Sequence, residues 1–504
     1  MKKEPSDLEN KKASTSLLSS ITAGFVCGVI AIALIASFSA LIFSGPLAVY
    51  MPKGLGLALL SGGIISFVFA FLDPSKSAIA HPQDAPAAIM AISAASISTK
   101  LVDSENLLST IITSLAIAAL CSGLFFFILG RYRLGRFIRY IPYPVIGGFL
   151  AGTGWLLVQG SFAVMSDIPL ELSTVQQFFA IKSLKLWVPG LIFAVTLLVS
   201  LRKFDHPLLF PAFVLGAFAL FHTWVSLSGL TFQGATDSGL LLGPFPDGSI
   251  FASLQPSDLQ NADWSAVLGE WGNYATIALI GSLSLLMNAS SIELALQEDT
   301  DMDAELKAAG YANILSGTFG GLVGYQGLSV SLLSFKMKAN SKHAGILIAV
   351  LCLVTIFVGT NALAYFPKMI LGGLLLFTGM DFMVTWLYDA WFKLPRIEYF
   401  LIVFLVVVIA TFGFLEGVGL GVLAATILFV VNYSRIDVVK HHLSGENYHS
   451  LVERSRKNLT ILTERGTELM ILQLQGYLFF GTAYQLLEKI KEAALKTKGA
   501  PIRY

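Results

Sequence analysis

The sequence predicts an all-α polytopic membrane protein, and this prediction rests on its composition and on the length of its apolar runs. Of the 504 residues, 55% are hydrophobic and only 13% are charged, whereas charged residues make up about a quarter of a soluble domain. Apolar runs near the length that crosses a bilayer, roughly 20 residues, recur between residues 17 and 433. A formal net charge of +1 provides no basic face for a nucleic acid.

Eleven of these runs are predicted to span the membrane. They cover residues 17–42, 54–72, 107–129, 137–160, 187–201, 208–228, 268–290, 344–360, 369–387, 398–414 and 416–433. Two further apolar stretches, 85–98 and 327–335, are too short to span alone, and a weakly apolar amphipathic stretch occupies 304–316. The total is about fourteen segments, preceded by a polar N-terminal tail at residues 1–16.

The distribution of lysine and arginine predicts the orientation. Basic residues cluster in loops that the segment order places on one side, within 2–12, 131–139, 202–203, 336–342 and 393–396, and at Arg435. The long 229–263 loop contains four aspartates and neither lysine nor arginine. Because cytoplasmic loops are enriched in lysine and arginine, both termini are predicted to be cytoplasmic and the protein to lie in the inner (plasma) membrane.

The two short stretches indicate where a solute would bind. Each falls third in its half of the segment order, and paired interrupted helices at corresponding positions are typical of a binding site between inverted repeats. A helix that begins within the membrane leaves its first N–H groups unpaired and facing the cavity. The candidate substrate contacts at these two helix starts are Gln83, Ala85, Gln326, Gly327, Ser329 and Ser331.

Asp84 is the charged residue at these helix starts. A carboxylate at bilayer depth is costly, so a role in binding is the default hypothesis, although capping of its own helix is the alternative. Helix capping without ligand contact is likewise the alternative for Gln83, Ser329 and Ser331. In the eighth segment, Ser284 and Asn288 recur along one helical face, where they could join Asp84 at a coupling ion or a cationic solute, or could join helices together.

No residue pattern indicates an enzyme, a cofactor or a metal site. The sequence contains no catalytic Ser-His-Asp, phosphate-loop or zinc spacing. Asp299, Asp301 and Asp303 lack the glycine and glutamate positions of a calcium loop. The expected partners are the lipid bilayer and a small-molecule or ion substrate.

Four motifs resemble those of the sulfate permease (SulP) transporters, in that family's order. They are YRLGRFIRYIPYPVIGGF at 132–149, DAELKAAGYANI at 303–314, GGLVGYQGLSVS at 320–331 and YFPKMIL at 365–371. The resemblance implies a transporter domain at 17–433 with a seven-plus-seven inverted repeat and elevator-like alternating access. It places the substrate between the third and tenth segments, with an aromatic residue near it that corresponds to Phe38.

The resemblance also implies a C-terminal STAS domain, through which the protein would form a homodimer. Residues 468–479 are similar to the first strands of that domain and 482–497 to its first helix. We therefore expect a linker at 434–467 and an incomplete α/β STAS domain at 468–504.

Departures from the family pattern leave three functions open. Val330 stands where the family often has an arginine, Ser284 where a glutamate is common, and Asp84 where most members are uncharged. The first hypothesis is a transporter of sulfate, bicarbonate or a dicarboxylate, with H⁺ or Na⁺ bound at Asp84. The second is a proton-coupled transporter of a cationic or zwitterionic solute such as a basic amino acid. The third is a membrane sensor or scaffold that signals through STAS.

Overall fold

The chain, seen in a computed structural model, divides into two compact units with the boundary between Gly419 and Leu420. The structure describes residues 17–73, 78–102, 104–135, 143–168, 170, 174–204, 206, 208–242, 250–296, 299–337, 339–358, 364–434, 438–445, 448, 452–466, 469–476 and 480–496.

Within the described residues, fourteen helices follow the predicted segments one for one. In chain order they are α1 Leu17–Ile42, α2 Met51–Leu72, α3 Asp84–Lys100, α4 Leu107–Arg131, α5 Tyr143–Ser166, α6 Ile181–Lys203, α7 Leu209–Leu227, α8 Trp271–Leu296, α9 Met302–Thr318, α10 Leu328–Lys336, α11 Ser341–Val358, α12 Lys368–Met383, α13 Arg396–Phe412 and α14 Phe414–Ser434. In the part of the chain that the structure describes, eight helical stretches are long and apolar enough to cross a membrane. The prediction of an all-α polytopic membrane protein is confirmed.

The largest differences from the prediction lie at helix ends and in the acidic loop. The predicted 369–387 segment becomes α12 followed by a π-helical turn at Val384–Asp389. The described part of the 229–263 loop contains the short helices Phe232–Asp237 and Pro256–Asn261. A further short helix, Trp264–Gly269, follows the loop and begins after Asp263, whose carboxylate accepts hydrogen bonds from two backbone N–H groups. The start of the predicted 137–160 segment lies outside the described residues. Hydropathy alone does not register such caps and turns, because they depend on single polar side chains.

The helix packing has the symmetry of two inverted repeats. α4 packs against α9, and α2 packs against α11. If each helix is matched to the helix seven positions away in the chain, α4 matches α11 and α9 matches α2, so the first contact becomes the second. The same exchange relates α6–α12 to α5–α13, α1–α11 to α4–α8 and α1–α10 to α3–α8. This exchange is the pattern expected of the predicted seven-plus-seven repeat. Two packed groups result: α1–α4 with α8–α11, here called the core group, and α5–α7 with α12 and α13, here called the gate group.

Two very short strands join the repeats at the centre of the core group. β1, Ala80–Pro82, pairs antiparallel with β2, Gly324–Gln326, and His81 lies opposite Tyr325. α3 begins two residues after β1, and α10 begins two residues after β2. Because the strands are antiparallel, α3 and α10 leave the strand pair in opposite directions. Both helix starts therefore lie at the same small sheet, as the paired short segments predict.

The second unit contains α/β elements. β3, Val439–Ser444, pairs antiparallel with β4, Met470–Leu474, and the helices α15, Arg456–Glu464, and α16, Phe480–Lys496, complete its described elements. The segment 434–467, predicted as a linker, thus contributes a strand and a helix. The polar sequence of β3 has no apolar alternation that would mark it as a strand. Residues 468, 477–479 and 497–504 of the predicted STAS region lie outside the described residues, and the STAS assignment stays a prediction.

Candidate functional site

A cavity of about 550 Å³ lies between the core group and the gate group, beside the strand pair. On the core side it is lined by α1, by α8 and by the starts of α3 and α10. On the gate side it is lined by residues of α5, α6, α7 and α12. Its volume suits a small organic solute, since small-molecule sites measure about 300–1,000 Å³.

The structure brings most of the sequence-predicted site residues to this cavity. Seven of the ten line it: Phe38, Gln83, Asp84, Ser284, Asn288, Gly327 and Ser329. Ala85, Gln326 and Ser331 are buried and are not among the lining residues.

These three residues are bonded to protein groups close to the site. The Ala85 N–H donates to the Asp84 carboxylate at 2.8 Å. The Ser331 hydroxyl donates to the carbonyl of Gly327 at 2.6 Å and accepts from the N–H of Ile79 at 2.9 Å. The Gln326 amide donates to the carbonyl of Leu285 at 3.2 Å. Their hydrogen bonds shape the strand pair and the helix starts, and do not reach into the cavity.

Gln83 links the two strands. Its side-chain nitrogen donates to the carbonyl of His81 and to the carbonyl of Tyr325, both at 3.1 Å. A carbonyl oxygen only accepts hydrogen bonds, so both contacts require the NH₂ side of the amide. The two hydrogens of Gln83 are therefore used within the strand pair, and its remaining amide oxygen is the group that a solute could meet.

Asp84 is half-buried at the first position of α3 and lines the cavity. Its carboxylate accepts from the N–H of Ala85 and forms no ion pair within the part of the chain that the structure describes. Val330, 3% exposed, occupies the corresponding turn of α10. The cavity thus has an unpaired carboxylate beside two helix N-termini, which bear partial positive charge.

Tyr325 and His81 line the cavity but were not predicted as site residues. The Tyr325 hydroxyl is buried and has no hydrogen-bond partner among the described residues. The signal that could have found both residues is the two-residue period of a strand. His81 and Gln83 share one strand face, and Tyr325 and Gly327 share another, whereas the sequence prediction considered helix starts alone.

The cavity extends along α10 to Lys336 and meets Arg202 and His206 after α6. The Arg202 guanidinium lies 3.3 Å from a carboxylate oxygen of Asp389 and 3.6 Å from one of Asp381. It also donates to the Thr385 hydroxyl at 3.3 Å. Arg202 is therefore held by the gate group on the face of α12 and the π-helical turn after it.

The opposite end of α3 is fixed by a buried carboxylate. Glu270, 4% exposed, accepts hydrogen bonds from Ser96 at 2.6 Å, from Lys100 at 2.8 Å and from Asn273 at 2.8 Å. Two of these donors lie on α3 and the third on α8. The cluster therefore ties the two helices together.

We expect Glu270→Gln to lower the free energy of unfolding by about 1–3 kcal/mol, because the amide leaves one of the three donors to this buried group unpaired. The half-exposed Lys100 side chain keeps the loss at the lower end of that range. Thermal unfolding of the detergent-solubilised protein measures it. Glu416→Gln, at an exposed carboxylate lining the neighbouring small cavity, is the matched control with no expected change. Equal losses in both variants would contradict the role given to the cluster.

The inverted repeats, the paired half-helices and the central cavity together define a multi-pass membrane protein of a transporter fold. The family model of the sulfate permease family matches residues 17–407, and the chain belongs to that family.

Three proteins that are similar to this chain are named for different solutes. The vacuolar basic amino acid transporter VSB1 of Saccharomyces cerevisiae is 27% identical over 77% of this chain and 38% of its own length. The bicarbonate transporter BicA of Synechocystis is 24% identical over 83% of this chain and 72% of its own. The murine solute carrier 26 family member A9 anion transporter, solved in an inward-facing state, has a TM-score of 0.72 and 16% identity, covering 98% of this chain and 80% of that one. This chain spans about two fifths of the yeast relative's length.

Proposed function

We propose that this protein is a secondary transporter that moves a basic amino acid or a similar cationic zwitterion across the membrane in exchange for protons. The observation that carries this proposal is the Asp84 carboxylate, which lines the central cavity without an ion-pair partner among the described residues. A carboxylate at this depth pairs with a cation or a proton. A cationic solute would be such a partner for Asp84.

The charges around Asp84 complement both ends of an amino acid. α10 begins without a side-chain cap, so its first N–H groups are free to bind the α-carboxylate of a solute. Asp84 then faces the cationic side chain. The ring of Phe38, which also lines the cavity, is suited to contact a desolvated cation through its face. A simple anion would bind only to the free N–H groups of α10, and it would have no favourable contact with Asp84.

Two comparisons support a cationic solute. The yeast relative is named as a basic amino acid transporter. In addition, the arginine that the family often has between the two serines of the tenth segment is replaced here by Val330. This replacement removes a charge that would repel a cation by several kcal/mol at short range and intermediate dielectric.

Transport of an anion with a coupling cation is the second candidate. Both half-helix N-termini face the cavity, and BicA is named as a bicarbonate transporter. In this mechanism Ser329 and the helix N-termini bind the anion, while Asp84, Ser284 and Asn288 bind H⁺ or Na⁺. A carboxylate cannot bind an anion directly unless it is protonated.

The cavity also suggests an orientation and a mechanism. It reaches from the strand pair to Arg202, His206 and Lys336, on the side of the basic loops that the positive-inside rule assigns to the cytoplasm. We propose that this structure is open to the cytoplasm and that the core group moves past the gate group in an elevator-like step. The homodimer and the inner-membrane location remain predictions.

Uptake into proteoliposomes tests the proposed function. We expect the purified protein to accumulate labelled arginine when a pH gradient is imposed, with competition by lysine and none by sulfate. Sulfate or bicarbonate uptake that arginine does not affect would instead support the second candidate. Absence of flux for all of these solutes would favour the sensor or scaffold hypothesis and overturn the proposal.

A further inference from the structure

His81 is a buried histidine at the centre of the cavity wall. It lies in β1 opposite Tyr325, is 4% exposed and lines the cavity together with Asp84, three residues further along the chain. The proposed function uses neither of its ring nitrogens.

The hydrogen bonds around the ring fix its tautomer. Nδ1 lies 2.6 Å from the carbonyl oxygen of Pro82, and because that oxygen only accepts, Nδ1 must carry the proton. The side-chain nitrogen of Gln83 lies 3.5 Å from Nδ1. Its two hydrogens are donated to the carbonyls of His81 and Tyr325, so neither is left for Nδ1. In the neutral imidazole with this tautomer, Nε2 is an acceptor with a free lone pair.

Nε2 has no hydrogen-bond partner in the described part of the chain. It faces Gly327, the residue before α10, where a Cβ atom would come within 2.7 Å of it. Glycine at this position therefore leaves room for the ring nitrogen at the wall of the cavity. Nε2 is not fully buried by the protein and is reached from the cavity that His81 lines, so an N–H group of a bound solute can donate to it.

We propose that His81 is a specificity-determining residue for the solute's cationic group, and that its Nε2 accepts one N–H while Asp84 binds the charge. This inference rests on the proposed function and narrows it to guanidinium compounds, with arginine preferred over lysine. A guanidinium presents five N–H donors on a planar fork and can reach two separate acceptors, whereas an ammonium group is a compact point charge.

Two substitutions separate ligand contact from structural support. In His81→Asn, the amide NH₂ can replace Nδ1–H as donor to Pro82, but the acceptor at Nε2 is lost. In His81→Gln, the longer side chain can place an amide oxygen near the position of Nε2. We expect His81→Asn to raise the KM for arginine uptake about tenfold, as for loss of one buried hydrogen bond to a charged group, and to change the KM for lysine less than twofold. His81→Gln should keep part of the arginine preference.

Competition in the wild-type protein tests the same point without a substitution. Agmatine and cadaverine are the decarboxylated forms of arginine and lysine, and we expect agmatine to inhibit arginine uptake about tenfold more strongly. Equal inhibition by the two amines, or equal KM increases for arginine and lysine in His81→Asn, would overturn the role of His81 while leaving arginine transport intact. Failure of the wild type to take up arginine would overturn the proposed function itself, so the two failures are distinguishable.

Discussion

Replacement of Asp84 by asparagine is expected to lower the initial rate of arginine uptake at least a hundredfold. The amide has nearly the same shape, and its oxygen can still accept from the N–H of Ala85, so the start of α3 should stay intact. What is lost is the charge. A unit-charge pair at 4 Å and an effective dielectric of 20 is worth about 4 kcal/mol, or close to a thousandfold in affinity. Initial rates in proteoliposomes over a range of arginine concentrations measure the effect.

Asp381→Asn is the matched control, because it makes the same chemical change at another carboxylate that lines the cavity. Asp381 lies 3.6 Å from Arg202, which also contacts Asp389 at 3.3 Å, so the arginine keeps a partner in the variant. We expect arginine uptake by Asp381→Asn to fall less than fivefold, since exposed ion pairs contribute little. Similar losses in both variants would show that the cavity responds to its total charge and not to a contact at Asp84.

Asp84→Asn also distinguishes the proposed function from the second candidate, anion transport with a coupling cation. If Asp84 binds a coupling ion, Asp84→Asn should abolish gradient-driven sulfate or bicarbonate uptake and spare exchange of these anions without a gradient. If Asp84 binds the solute, the variant should lose arginine uptake under every driving force. The two results are distinguishable. In the first, the solute still binds and exchanges when the carboxylate is absent, whereas in the second the solute no longer binds.

The helical framework could be predicted from the sequence because each span is an independent hydrophobic element. Lipid imposes a length of roughly 20 apolar residues on every spanning helix, and that constraint does not depend on what the helix packs against. The two short helices were also predictable, since interruption at matching positions is visible in the hydropathy pattern. Asp84 and Ser329 at their starts followed from the same pattern, and the structure places both at the cavity.

The details of the site depend on backbone structure that hydropathy does not encode. The sequence predicts Ser329 and Ser331 alike as substrate contacts. In the structure Ser329 lines the cavity, whereas Ser331 is hydrogen-bonded to the backbone of Gly327 and Ile79. The difference follows from their positions around α10, because residues two apart on a helix face different directions. His81 and Tyr325 were missed because the prediction considered the helix starts alone and not the two-residue alternation of the residues just before them.

The site also depends on a close contact between two helices that are remote from the cavity. Asn313 of α9 accepts from the N–H of Gly324 at 2.8 Å and donates to its carbonyl at 2.6 Å. This pair of bonds holds β2, and β2 leads into α10. The position of α9 is set in turn by α4, against which it packs through glycines on both helices, Gly123 and Gly310 among them. Small residues at such interfaces let the two backbones approach closely.

Gly123→Ala is therefore expected to destabilise the protein and to impair transport together. The added Cβ would lie 2.6 Å from the backbone nitrogen of Ile314 and 2.9 Å from the carbonyl oxygen of Gly310. Neither atom is the end of a flexible side chain, so α9 must shift as a whole. Overpacking of this kind costs about 1–3 kcal/mol, and the shift should carry Asn313 and β2 with it. Thermal unfolding and arginine uptake of the same preparation measure the two effects.

Gly216→Ala is the control, because it makes the same change in α7 where nothing lies within 4 Å of the added atom. Alanine has the higher helix propensity, by about 1 kcal/mol, so this variant should be as stable as the wild type or more stable, with unchanged uptake. The same substitution thus has opposite expected signs at the two positions, and only the contact with α9 distinguishes them. Uptake that survives in a clearly destabilised Gly123→Ala would mean that β2 is held independently of α9, and that the bonds from Asn313 do not set the geometry of the site.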